Sequence, residues 1–282
     1  MDLGICPDWL PVYHCGGHWQ ALQNAFPPSI LQDQFAGLPF DGCQYDLFCG
    51  ERIQLVKLDI PGSTRVIACM VFQPEINALE IDGDRIIYLE QSLHRYPDML
   101  NQAVKETLSG VEGNRSIDTV ILLFGFCGGG LSGITSNRLT LIVPQVHDCI
   151  PLLLSETCLE SDCRKHSCAF YLSPGWIDHG ETPYTEFFKT SARYGRKDAL
   201  WIAGEMLKGY KEVVLVEAFA PVQPHHRTYA KKMAALFHLG FREIKTSGSW
   251  LTGLLSEKQA CAEYKRVLSP GEMVCKEIYP LS

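Results

Sequence analysis

Two cysteines lie where apolar segments end, within residues 119–150. The first segment, TVILLFGF, leads into Cys127, and the second, LTLIVPQV, is followed by His147, Asp148 and Cys149. Each segment has the length and the branched apolar residues of a buried strand. Thiolate and imidazole groups are ligands for zinc and for iron–sulfur clusters. The spacing therefore predicts a metal site at one edge of a sheet, with His147 as a further ligand or an outer hydrogen-bond donor.

A third cysteine, Cys69, lies in the earlier apolar run RVIACMVF. Parallel neighbouring strands bring their carboxyl ends to one edge of a sheet, so Cys69, Cys127 and Cys149 are predicted as metal ligands with one coordination position open. For Cys69 alone, burial as a small apolar residue is the favoured interpretation. Asp148 could fix the tautomer of His147 or act as an acid or base.

The loop after Cys127 is rich in glycine, and Gly128, Gly130 and Gly133 formally match GxGxxG. A dinucleotide-binding crossover needs a helix before the next strand, but only residues 134–138 separate that loop from the next apolar run. The pattern therefore does not favour NAD. Instead, Gly128, Gly129 and Gly130 are predicted to offer bare backbone N–H groups to a bound ligand.

Two residues outside this stretch are further candidates. Glu90, at the end of the apolar run IIYLEQSLH, could act as a general acid or base, although a carboxylate that caps the next helix is an equal alternative. Trp176, in YLSPGW, is a candidate wall of a ligand pocket or a simple packing residue. No GxSxG elbow surrounds Ser173, so a hydrolase triad has no support.

The other cysteines form two groups. Cys158, Cys163 and Cys168, with His166 between them, predict either a second metal site or a solvent loop with incidental thiols. The N-terminal residues 1–62 are irregular and contain four cysteines that could staple a segment with little core.

Apolar strand patterns alternate with helical patterns from residue 63 onward, which predicts an α/β fold with a mainly parallel, Rossmann-like sheet. The predicted organisation is an irregular N-terminal extension, 1–62, and an α/β domain, 63–282. The alternation leaves open two similar lobes, 63–150 and 151–256, with a C-terminal tail, 257–282. No internal repeat is plain in the sequence.

Composition limits the partners. Lys and Arg number 25 against 32 Asp and Glu, a formal net charge of −7, and no basic run occurs, so a nucleic-acid partner is not expected. No apolar run approaches the roughly 20 residues that span a membrane, and the N-terminus lacks a secretory signal. The cytoplasm is therefore expected, and twelve cysteines in a reducing compartment point to metal, catalysis or burial.

The segments IAC, LEQSLHRYP, GFCGGGLSG, VPQVHDCIPLLL and YLSPGW resemble a prokaryotic family of unknown function, number 1638, over residues 65–255. The resemblance implies functional roles for Cys69, Cys127, His147, Asp148 and Cys149. It also implies a context beside corrinoid-dependent methyltransferases of anaerobes, with a corrinoid protein or a methyltransferase as partner. The N-terminal residues and the 158–168 segment depart from the family pattern.

Three hypotheses follow. The first is an iron–sulfur protein with Cys69, Cys127 and Cys149 as ligands, which binds a small molecule or relays electrons in anaerobic one-carbon metabolism. The second is a zinc-dependent methyl-transfer enzyme in which zinc activates a thiol. The third is a non-catalytic module that carries a corrinoid or a cluster to a partner.

Overall fold

A computed structural model describes residues 57–154, 168–256 and 264–279 of the chain. The predicted N-terminal extension, apart from its last residues, and the group of Cys158, Cys163 and His166 lie outside these ranges. The described residues form two β-sheets with helices packed around them. None of the described helices is long and apolar enough to cross a bilayer.

The larger sheet has five strands in the order β2-β1-β3-β4-β8, and only β8 runs antiparallel to its neighbour. Its strands are β1 (Thr64–Cys69), β2 (Ile86–Leu89), β3 (Thr119–Leu123), β4 (Thr140–Pro144) and β8 (Lys265–Leu268). Residues 66–69 of β1 and 120–123 of β3 are buried, because both strands are central and covered on both faces. The predicted α/β fold with a mainly parallel sheet is confirmed.

The smaller sheet is wholly parallel, with the order β5-β6-β7. Its strands are β5 (Ala169–Leu172), β6 (Glu212–Glu217) and β7 (Gly240–Lys245). The described strands of residues 63–150 all belong to the larger sheet, and those of 151–256 to the smaller one. The antiparallel β8 then returns the chain to the larger sheet, which the sequence did not predict. The division into two lobes stays a prediction.

Eight α-helices lie among the residues that the structure describes. They are α1 (Gln73–Ala78), α2 (Pro97–Glu112), α3 (Ile150–Leu153), α4 (Pro174–His179), α5 (Pro183–Tyr194), α6 (Arg196–Met206), α7 (Pro224–Leu236) and α8 (Ser249–Leu255). Helix α2 begins at Pro97 and buries Leu100, Val104 and Leu108, whereas Met99 is exposed. Ser173 does not continue β5: its hydroxyl accepts a hydrogen bond from the Trp176 N–H at 3.3 Å and so caps α4.

The two sheets share one hydrophobic core, and α4 joins them. Gly175 of α4 lies against the carbonyl of Val71 in the short turn Met70–Phe72 that follows β1. The Glu181 N–H also donates to the Gln91 side chain at 3.2 Å. The turn after Cys69 is therefore fixed by a helix of the smaller sheet.

Glu75 of α1 is fully buried, and neither of its carboxylate oxygens has a hydrogen-bond partner among the described residues. Burial, with a smaller contribution from the charge of Asp178, raises the pKa of Glu75 from about 4.5 to about 8. The folded protein then holds this proton more tightly than the unfolded chain does. The contribution of this proton to the free energy of unfolding is complete below about pH 4.5 and is lost as the pH rises towards 8.

We expect Glu75→Gln to remove this fall in stability and to raise the free energy of unfolding at pH 8 by roughly 2–4 kcal/mol. Denaturant titrations at pH 5, 6.5 and 8 on the metal-free protein measure the effect. The control, Glu106→Gln, changes an exposed helical carboxylate and should leave the pH dependence as it is. An equal pH dependence in Glu75→Gln and wild type would contradict the prediction.

Candidate metal centre

Four potential metal ligands follow the carboxyl ends of four neighbouring parallel strands. Cys69 is the last residue of β1, and His94 lies in the turn Gln91–Arg95 that follows β2. Cys127 begins a turn after β3, and Cys149 follows β4 and immediately precedes α3. One sulfur or nitrogen donor therefore lies at or just after the carboxyl end of each parallel strand, at a single edge of the larger sheet.

The site lies at the point where the strand order reverses. From β1 the chain passes to β2 on one side of the sheet and then to β3 on the other side. The loops after β1 and β3 leave in opposite directions at such a point and open a crevice, where open α/β sheets bind ligands. Cys69 and Cys127 are the first donors on either side of this crevice.

The donor atoms are close together. Ligand atoms of Cys69, His94 and Cys149 lie within 4.8 Å of one another. The Cys127 sulfur is 3.8 Å from Nε2 of His94. Zinc–sulfur bonds of about 2.3 Å place tetrahedral donors roughly 3.5–4 Å apart, a spacing close to that of Cys69, His94 and Cys149, with Cys127 beside His94 as the fourth candidate donor.

The three thiols are electrostatically unequal. Hydrogen bonds from Cys127 and then Cys69 lower the pKa of Cys149 well below its ordinary value. The same hydrogen bonding, together with burial, raises the pKa of Cys127, and burial followed by hydrogen bonding to Cys149 raises that of Cys69. Cys149 is therefore the thiol of the group that ionises most readily. A bound cation would favour ionisation of the other two thiols.

His94 is in the form that binds metals. Burial lowers the pKa of its imidazole, so the ring is neutral at physiological pH and has a lone pair to donate. Sequence reasoning did not identify this residue as a ligand, because the apolar run of β2 continues through Leu93 and suggests a strand rather than a turn. The available signal was its place, a few residues beyond the end of a parallel strand.

Gly125 allows the loops of Cys127 and Cys149 to meet. A Cβ atom at residue 125 would lie 2.4 Å from the backbone of Asp148, so only glycine permits this approach. The Phe126 N–H donates to the Val146 carbonyl, and the Cys127 N–H donates to the His147 carbonyl, each at 2.9 Å. The cysteine loops after β3 and β4 are thereby joined by backbone hydrogen bonds.

Cys127 and the next two residues, Gly128 and Gly129, have φ values of 50°, 66° and 100°. Left-handed backbone is uncommon for a non-glycine residue and clusters at ligand sites, where the surrounding structure maintains it. Gly130, the third glycine of the predicted ligand loop, packs against Leu100 of α2. The Gly129 and Gly130 N–H groups donate to the carbonyls of Phe126 and Cys127 at 3.0 and 3.3 Å, so they are not bare as predicted. The ligand-binding role of the loop stays a prediction.

The His-Asp pair precedes Cys149 as the sequence requires. The His147 residue is exposed, and its carbonyl accepts the hydrogen bond from Cys127 N–H. The Asp148 carboxylate accepts a hydrogen bond from the Ile150 N–H at 2.8 Å and so caps α3. Burial raises the pKa of Asp148 to about 6. Its predicted acid–base role, like the ligand role of His147, stays a prediction.

The remaining two candidates lie apart from the donor group. Glu90 is exposed and accepts a hydrogen bond from the Ser92 hydroxyl at 3.2 Å. Trp176 is buried in α4, the helix that packs on the turn after Cys69. Their predicted roles, acid or base and pocket wall, stay predictions.

A second group of potential ligands is better explained by hydrogen bonding. Asp178, His225 and His226 bring ligand atoms within 4.8 Å of one another at the start of α7. However, the Gln223 N–H donates to Nδ1 of His226 at 3.0 Å, so a neutral ring carries its proton on Nε2. That Nε2 lies 3.1 Å from Asp178 and donates to it, and it therefore lacks the lone pair that a metal needs. His226 is buried in this capping arrangement at the start of α7.

A family model described as "Protein of unknown function (DUF1638)" matches residues 88–255, which is more than half of the chain. His94, Cys127 and Cys149 lie within the matched range, and Cys69 lies before it. No curated protein and no solved structure matches the chain.

Proposed function

The chain belongs to this family, DUF1638, and on that premise we propose that it binds one thiophilic metal ion, zinc in the first place, through Cys69, Cys127, Cys149 and His94. The site would activate a thiol for methyl transfer. One observation carries the proposal: ligand atoms of Cys69, His94 and Cys149, from three neighbouring parallel strands and the turns that follow them, lie within 4.8 Å of one another. The Cys127 sulfur, 3.8 Å from Nε2 of His94, is the fourth candidate donor.

The donor set favours a soft or borderline metal. Three sulfurs and one imidazole suit zinc, whereas magnesium and calcium require oxygen ligands. The close spacing of the donors supports a single ion, because an iron–sulfur cluster separates its cysteine sulfurs more widely. A buried thiolate also favours a bound cation, since buried charges are costly unless they are paired.

The location supports a functional role over a structural one. Structural zinc ions replace a core in small domains that cannot form one. Here the sheet beneath the site is already buried on both faces, with Val66, Ile67 and Leu122 wholly inaccessible to solvent. The donors lie instead at the edge where parallel α/β sheets hold their substrates.

His94 is the ligand that we propose gives way to a substrate. It is neutral, whereas the cysteines bind as anions, and it lies on a short turn with partial exposure. A substrate thiol in its place would be bound as a thiolate, since a metal lowers the pKa of a group bound to it. The thiolate would then attack the methyl carbon of a methyl donor. The S–C bond forms, the bond between that carbon and its leaving group breaks, and the electron pair of the broken bond stays with the leaving group.

An iron–sulfur cluster is the second candidate. Three cysteines on three separate segments leave one iron without a cysteine ligand, which suits substrate binding or electron transfer. The left-handed turn Cys127–Gly129 also supports a bound ligand at this edge, because such backbone clusters at ligand sites. Either site would require a reducing compartment, and we propose the cytoplasm.

The partner that we propose is a corrinoid protein or a methyltransferase, from the resemblance of the sequence segments to the family. The corresponding alternative is a non-catalytic module that carries a corrinoid or a cluster to such a partner. A stable complex without turnover of any small thiol would support the carrier. Methylation of a small thiol by the chain together with a methylated corrinoid would support the enzyme.

Metal analysis of the anaerobically purified protein tests the proposal. We expect about one zinc per chain and no visible absorption, as four donors around one ion require. About four irons per chain with broad visible absorption would support the cluster instead. A protein that binds neither metal, even after anaerobic reconstitution with each, would contradict both candidates.

A further inference from the structure

Tyr279 lies beside the candidate metal centre, although it is far in sequence from Cys69, Cys127 and Cys149. Its residue surface is 4% exposed, and its ring packs on Phe126, the neighbour of Cys127, at a centroid distance of 4.3 Å. The segment that carries it is anchored by Gln145, whose side-chain amide donates to the Ile278 carbonyl at 2.7 Å. The C-terminal segment thus lies against the loops that follow β3 and β4.

The phenol of Tyr279 has an unused hydrogen-bonding group. Its hydroxyl is buried and has no hydrogen-bond partner among the described residues. The burial of a hydroxyl without a partner is unfavourable, and such groups in folded proteins usually have an explanation, for example a bound ligand or water. Burial and then the nearby Cys127 sulfur raise the pKa of this phenol, which agrees with a position near the donor group.

We infer that Tyr279 donates a hydrogen bond to the sulfur of a thiol substrate bound at the metal in place of His94. This inference rests on the proposed function and adds a residue that selects the substrate. A protonated phenol stabilises a bound thiolate, because hydrogen bonds to charged acceptors are stronger than those to neutral ones. A thioether carries no such charge, so the hydroxyl favours free thiols over their methylated products and assists product release.

The test uses the full-length protein with Co²⁺ at the site, because thiolate–cobalt absorption reports both metal and thiol binding. The probe is 2-mercaptoethanol, titrated into wild type and Tyr279→Phe. We expect the Kd for the thiol to rise about tenfold in Tyr279→Phe, with the Kd for Co²⁺ unchanged. Tyr184→Phe, a buried tyrosine of α5 in the other sheet layer, is the control and should match wild type.

The metal-free variant provides a second measurement. Phenylalanine keeps the ring contact with Phe126 and removes only the unpaired hydroxyl, so the melting temperature of metal-free Tyr279→Phe should equal or exceed that of wild type. A lower melting temperature, or loss of folding, would mean that the hydroxyl already has a partner, and this would overturn the inference.

The remaining outcomes separate the two claims. Equal thiol affinity in Tyr279→Phe and wild type would overturn the role of Tyr279 and leave the metal site intact. A wild type that binds Co²⁺ but no thiol would overturn both the inference and the thiol substrate. Absence of thiolate–cobalt absorption in wild type would overturn the proposed metal site itself.

Discussion

Cys149→Ala is expected to weaken zinc binding by more than about 100-fold, since changes outside the ligand shell alone cost 10–100-fold. Cys149 is the central donor: both other thiols hydrogen-bond to it, and its pKa is the one that is lowered. Its loss removes the thiol of the group that ionises most readily. Competition with a chromophoric chelator under anaerobic conditions measures the zinc affinity.

Cys168→Ala is the matched control for this variant. Cys168 immediately precedes β5 in the smaller sheet and is partly buried, so its removal should leave zinc affinity within about twofold of wild type. Alanine is chosen over serine because it places no hydroxyl in the buried site, and both metal-free variants should retain the wild-type circular dichroism spectrum. Tight zinc binding by Cys149→Ala would exclude the four-donor site.

The sequence predicts the strands of the metal centre well because burial determines their composition. Strands β1 and β3 are covered on both faces and β4 is largely buried, so their residues form continuous apolar runs that stand out from the flanking turns. Once the sheet is taken as parallel, the positions of Cys69, Cys127 and Cys149 at one edge follow from the polarity of the strands.

The parts that the sequence does not predict depend on contacts between distant segments. Strand β8 is short and mostly exposed, with the sequence KRVL, so no periodic pattern marks it, and its antiparallel pairing with β4 supplies its conformation. Tyr279 reaches the metal centre only because that strand returns the chain to the larger sheet. His94 and Tyr279 are therefore visible as site residues only after the topology is known.

Gly175→Ala is expected to destabilise the fold by about 3 kcal/mol or more, near the upper end for overpacking. A Cβ atom at residue 175 would lie 1.7 Å from the carbonyl oxygen of Val71 and 2.7 Å from its carbonyl carbon. Both are backbone atoms, so the clash cannot be relieved by rotation of a side chain. Relief of the clash requires α4 to separate from the turn Met70–Phe72, where the two sheets meet.

The same displacement should reach the metal centre. The Val71 N–H donates a hydrogen bond to the Cys69 sulfur, so movement of this turn changes the position of one ligand. We therefore expect Gly175→Ala to lose stability, measured by urea denaturation, and zinc affinity, measured by chelator competition.

Gly204→Ala is the control. Gly204 lies in α6 with open space around its Cβ position, so alanine there should stabilise the fold by roughly 0.5–1 kcal/mol. If Gly175→Ala loses stability but binds zinc as wild type does, the turn after β1 moves independently of Cys69, and the contact of α4 supports the fold without positioning the ligand.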